Sequence, residues 1–128
     1  MLLRVIQGAD GALESWQQIS PVSSQLVRVE CLRVIDRARA RGATDDVTAA
    51  SDRAAVLDAV STFTLASVSN EVLERAADPF PTALGTMDAI HLATALELRD
   101  VYPDLMFATH DHELATAARA VGFSVVGA

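Results

Sequence analysis

Lysine is absent from this chain, and all ten basic residues are arginine. That absence removes two functional classes. A P-loop needs a lysine to reach the β/γ-phosphates of its nucleotide, and a phosphoacceptor receiver-like domain needs a late lysine beside its aspartates. No Gly-x-Gly-x-x-Gly spacing supports a dinucleotide site either. Cysteine occurs once, at Cys31 within an apolar helical pattern, so a disulfide framework is excluded and a reduced core thiol expected. No window approaches the ~18 to 20 uninterrupted apolar residues of a membrane span. The opening MLLRVIQG is too short for a signal peptide and has no small-residue cleavage site. These absences predict a cytoplasmic protein with no membrane partner.

What is present fits one ordered domain over residues 1–128. The hydrophobic fraction is 51% and the charged fraction 21%, unlike the apolar-poor composition of disordered chains. No repeat, low-complexity tract or linker divides it. The formal net charge of −7 opposes long-range attraction to nucleic acid. Five arginines nevertheless crowd one stretch: Arg28, Arg33, Arg37, Arg39 and Arg41. A solvated helix face is the ordinary reading of such a run. A local anion-binding face is the alternative, because guanidinium forks bind phosphate bidentately.

Short apolar runs alternate with helical patterns along the chain. Met1 to Ile6 is apolar and reads as a short helix stopped by Gly8; Gly11 to Ile19 reads as a second weak helix. Pro21-Val22-Ser23 resembles a strand end, with Ser23 or Ser24 capping a helix to about Arg41 that Gly42 closes. Asp45 or Asp46 caps a helix through roughly Val60. Phe63 to Val68 is a β-type run, and a helix follows from about Ser69 to Ala77. Thr86 caps a strongly apolar helix from Met87 to about Arg99. Leu105 to Ala108 reads as a buried strand, Asp111 to Val121 as a helix and Phe123 to Val126 as a final strand. Such alternation predicts an α/β fold with a parallel central sheet between helical layers. Functional groups then gather at the carboxyl ends of the strands.

Three carboxylates attract attention. Glu30 lies within an apolar stripe of Val27, Cys31, Val34 and Ala38, where an unpaired charge is costly. It needs an arginine such as Arg33 or Arg37, a hydrogen-bond network or a metal. Asp88 opens the apolar helix Ala89-Ile90-His91-Leu92-Ala93. It is placed either to serve orphan N–H groups of the first turn or, with His91 three residues on, to line an interior cleft. Asp111 follows the strand Leu-Met-Phe-Ala and suits an N-cap equally well. The flanking His110 and His112 point apart at i, i+2 and find no third soft ligand, so zinc is not the reading.

Taken together, Ser-Ser-x₅-Glu30, Thr86-Met-Asp88-Ala-Ile-His91-Leu-Ala-Thr-Ala and Thr109-His-Asp111-x-x-Leu114 resemble the PIN-domain ribonucleases. The match is closest to the VapC toxins of bacterial toxin–antitoxin pairs. It runs over nearly the whole chain, and Asp88-Ala-Ile-His-Leu-Ala is its most specific piece. The resemblance implies a PIN-like three-layer fold and a Mg²⁺- or Mn²⁺-dependent endoribonuclease cutting structured RNA, transfer or ribosomal. It also implies inhibition by a cognate antitoxin and assembly as a homodimer. By position, Glu30, Asp88 and Asp111 match three family carboxylates that are catalytic and hold metal, and Thr109 matches a polar position beside the last. Hard oxygen ligands of this kind suit Mg²⁺.

One departure accompanies the match. PIN domains open with a short apolar strand ending in an aspartate, whereas Met1 to Ile6 reads as the helix that follows. Asp10, in the loop after Gly8, is no substitute. The expectation is therefore a domain without the family's first strand, and weak or no nuclease activity for the chain as written. The alternative function is a catalytically inactive binding or dimerisation module.

Overall fold

A computed structural model describes residues 2–6 and 19–128, with side chains from Ser20 onward. The elements are β1 (Leu2–Ile6), β2 (Ile19–Ser24), α1 (Leu26–Ala40), α2 (Asp46–Ser61), β3 (Thr64–Ala66), α3 (Asn70–Ala77), α4 (Thr86–Leu98), β4 (Leu105–Ala108), α5 (His112–Ala120) and β5 (Val125–Val126). The five strands form one sheet in the order β3-β2-β1-β4-β5.

The outer pairs run parallel: β2 with β3, joined through α1 and α2, and β4 with β5, joined through α5. β1 is antiparallel to both of its neighbours. The sheet is thus mixed rather than all parallel. The expected helix over Met1–Ile6 is instead a strand, and it fills the middle of the sheet. Five or six apolar residues carry no decisive period; pairing on both sides decides the matter here, because it satisfies the facing backbone groups of β2 and β4. A sheet expected to lack its first strand therefore has a central one, running the opposite way to the rest. The second weak helix, read over Gly11 to Ile19, lies outside the described residues except Ile19, which belongs to β2.

Local chemistry explains the element ends. Asp45 caps α2 by accepting the Thr48 N–H at 2.6 Å, and Ser69 caps α3 through the Val72 N–H. Two expected caps move. Gly85, not Thr86, is the N-cap of α4. Ser24 ends β2, and the N-cap of α1 is Gln25, although Ser24 Oγ accepts the Leu26 N–H. Gly42 closes α1 with a left-handed φ of 71°. The Gly42 N–H then bonds Arg39 O and the Ala43 N–H bonds Ala38 O, the two bonds of a Schellman end. Gly122, at φ 101°, ends α5 in the same way. That turn delivers Phe123 into the core beside Phe107, with ring centroids 5.9 Å apart.

The core gathers Val22, Leu92, Ala95, Leu105, Phe107, Leu114, Ala117, Ala118 and Phe123. α4 is its hub: five consecutive residues, His91 to Ala95, are buried, as expected of a helix apolar on every side. α1 is less embedded than its stripe suggested. Val27 and Leu32 are buried, but Val34 is 54% exposed.

Candidate active site

β2 and β4 are both antiparallel to β1, so they are parallel to each other and end on the same sheet edge. From that edge the chain enters α1 after β2 and α5 after β4. Glu30 sits in the second turn of α1, Asp111 at the N-cap of α5, and Asp88 in the first turn of α4, which packs on β2. Three carboxylates from distant stretches of sequence are thus brought to one edge, the edge at which parallel strands conventionally present their chemistry.

Asp88 registers this convergence. Partial burial pushes its carboxyl above the ordinary 3.8, and the negative charges of Asp111 and then Glu30 push it further in the same direction; His91 opposes them. Like charges this near one another are what a cation would relieve. Among the described residues, no three His, Cys, Asp or Glu side chains are grouped tightly enough to form a ready-made metal shell. The donor set still fits Mg²⁺, which keeps several of its waters and takes only one or two carboxylates directly.

Two of the acids are held by hydrogen bonds, one local and one across the molecule. Asp111 Oδ1 accepts the Leu114 N–H at 2.8 Å, and the Asp111 N–H donates to Thr109 Oγ1 at 3.0 Å. Buried Thr109 therefore fixes the turn that carries the acid. Glu30 is held across the molecule. His91, only 1% exposed, meets Glu30 Oε2 through Nε2 at 2.7 Å, from a position 61 residues away in sequence. Burial pushes the His91 imidazole below its ordinary 6.5, and the hydrogen bond to Glu30 counters this only in part. A neutral ring beside a carboxylate, which only accepts, must carry its proton on Nε2.

This contact was not visible in the sequence. Arg33 and Arg37, one and two turns along α1, are partners the sequence offers Glu30 beside a hydrogen-bond network or a metal. Arg33 instead pairs with Asp36, and Arg37 donates its Nε–H to Arg33 O. The only hint of His91 was its place three residues after Asp88 on an apolar helix. The neighbouring histidines are elsewhere: His110 Nδ1 lies 2.7 Å from Gly127 O, and His112 begins α5 exposed to solvent.

Comparison with known proteins identifies the family. The family model of the PIN domain matches residues 4–120. Ribonuclease VapC35 of Mycobacterium tuberculosis, in strains H37Rv and CDC 1551 / Oshkosh, is 34% identical over 131 aligned positions, covering 98% of this chain and 87% of that protein. Ribonuclease VapC47 of strain CDC 1551 / Oshkosh is 31% identical over 110 positions, covering 86% of this chain and 73% of that protein. No solved structure gives a significant match. The chain belongs to the PIN domain family and is of the VapC type.

Proposed function

We propose that this protein is a toxin-type endoribonuclease that cuts structured RNA, transfer or ribosomal, with Mg²⁺ or Mn²⁺ at Glu30, Asp88 and Asp111. The crowding of Asp88 by Asp111 and Glu30 carries this reading, since such a carboxylate cluster costs stability unless a cation occupies it. When bound, a divalent ion supplies Lewis-acid charge and a water of lowered pKa. The protein's own part is placement. Asp88 is fixed at a helix start, Asp111 by its cap and by Thr109, and Glu30 by His91. A cognate antitoxin, a homodimeric assembly and a cytoplasmic location belong to the same proposal. The VapC type of the relatives supports the antitoxin, and among the described residues no helix is long and apolar enough to cross a membrane.

Cleavage by the chain as written is proposed to be weak. The central strand presents its amino end, not its carboxyl end, at the acidic edge, with Leu2 opposite Ala108. The aspartate-ending strand of the family resemblance therefore has no counterpart in Leu2–Ile6, whose carboxyl end lies at the far edge. The same observation favours the second reading, a non-cleaving module that docks an antitoxin or a second copy. An RNA cleavage assay in Mn²⁺ separates the two. Slow cleavage that Asp88→Asn reduces by about a hundredfold or more supports the nuclease. Cleavage equal in the two proteins, or absent from both, sinks it.

A further inference from the structure

His91 Nδ1 is the one buried side-chain nitrogen or oxygen among the described residues with no hydrogen-bond partner. Burying a bare acceptor is unfavourable, whereas an apolar side chain of similar size would fill the same place in α4 without stranding one. Packing alone therefore does not account for an imidazole here. Its other nitrogen does: Nε2 meets Glu30 Oε2 at 2.7 Å and ties α4 to α1. Glu30 is a long side chain with 34% of its surface still exposed. Its charge is felt at Asp88, so where its carboxylate is held matters to the cluster. The residue that holds it is rigid, because α4 is packed on every side at this point.

We infer that His91 is a positioning residue for the carboxylate centre, its Nε2–H holding the Glu30 carboxylate in place toward Asp88. The inference rests on the metal-centre reading above and adds a group outside the three acids. Histidine and carboxylate share one face of α4, Asp88 and His91 being three residues apart. One helix thus supplies both a proposed ligand and the donor that orients another. Supporting groups of this kind typically change metal affinity by 10- to 100-fold when removed.

The test compares wild type, His91→Leu and His91→Gln by calorimetric Mn²⁺ titration, melting temperature and, for the metal-free wild type, ring ¹⁵N spectra. Leu removes the donor and the stranded acceptor together. Gln keeps an N–H able to reach Glu30. Expected are an Nε2-protonated neutral ring at pH 7, a roughly tenfold or greater loss of Mn²⁺ affinity in His91→Leu with its fold retained, and recovery of most of that loss in His91→Gln. A folded His91→Leu protein that binds Mn²⁺ as tightly as wild type overturns the inference. So does an Nδ1-protonated ring. Should wild type take up no Mn²⁺, the metal-centre reading fails and His91's role toward it fails too. The ring spectrum then still decides whether Nε2–H holds Glu30.

Discussion

Asp88 and Asp111 both begin helices, and a carboxylate at a helix start is ordinarily stabilising. The two part company in what surrounds them. Asp111 accepts the capping Leu114 N–H on one oxygen and is exposed, while Asp88 is half-buried and carries the electrostatic load of the cluster. Because its carboxyl is raised in the folded state, the folded protein binds more protons than the unfolded chain at pH values above 3.8. Stability then falls as pH rises through that window and stays reduced above it. Asp88→Asn is therefore expected to raise the melting temperature of the metal-free protein at pH 7. The gain should vanish below the ordinary value of 3.8, and Mg²⁺ should stabilise wild type more than the variant. Thermal melts across pH, with and without Mg²⁺, measure all three; a variant less stable at pH 7 would contradict the crowding. For Asp111 the two roles separate by substitution. Asp111→Ser keeps an N-cap, whereas Asp111→Ala loses it and costs about 1 kcal/mol. Both should weaken Mn²⁺ binding equally. Denaturant unfolding and Mn²⁺ titration of the pair distinguish cap from ligand. Of the candidate site, only Glu30 breaks a local pattern; Asp88 and Asp111 sit at ordinary helix starts, and the family resemblance is what grouped the three. The Glu30–His91 bond was not legible, since nothing local in either stretch refers to the other.

At the scale of the element, α1 joins an acid of the site to a basic row. Arg37 and Arg41 follow Glu30 at i+7 and i+11, on nearly the same side of the helix, about 10 and 16 Å along it. Asp36 draws off Arg33 and Arg39, and these two hold its carboxyl below the usual range. Among the described residues, Arg28, Arg37 and Arg41 form no ion pair with a carboxylate. An exposed face with two guanidiniums unpaired among the described residues leads from the acidic edge, which the anion-binding alternative requires and a solvated helix face also shows. Replacing Arg37 and Arg41 with Gln together, in an Asp88→Asn background that prevents cleavage, should flatten the salt dependence of RNA binding. Two lost phosphate contacts lower the slope of log K against log salt by about 1.4 for a single strand. Fluorescence anisotropy over a salt series measures it, and an unchanged slope would return α1 to the ordinary reading. The helix itself was read from its sequence nearly to the residue. Its exposed and buried faces were not, because Val34 fits an apolar stripe in sequence that packing against α2 leaves in solvent.

The whole molecule turns on β1. Two parallel pairs, β2 with β3 and β4 with β5, are connected into one sheet only through the five residues Leu2–Ile6. The expectation of a parallel α/β sheet was correct for the outer pairs because strand–helix–strand crossovers announce themselves as alternating apolar runs. The same logic missed β1, whose partners lie some 16 and 100 residues away and whose apolar run suits either a helix or a strand. Its direction also bears on chemistry, since it sends the carboxyl end of β1 itself away from Glu30, Asp88 and Asp111. If β1 links the two halves, its amide hydrogens should exchange as slowly as those of β4, near the limit set by global unfolding. A proline at Arg4, paired on both sides with Pro21 and Met106, should cost about 1 to 3 kcal/mol, because it removes a ladder donor and leaves an acceptor unsatisfied. Fast exchange at Leu3 to Val5, together with a melting temperature unmoved by Arg4→Pro, would mean that the acidic edge is held without a central strand. The proposed weakness of cleavage would then need a different cause.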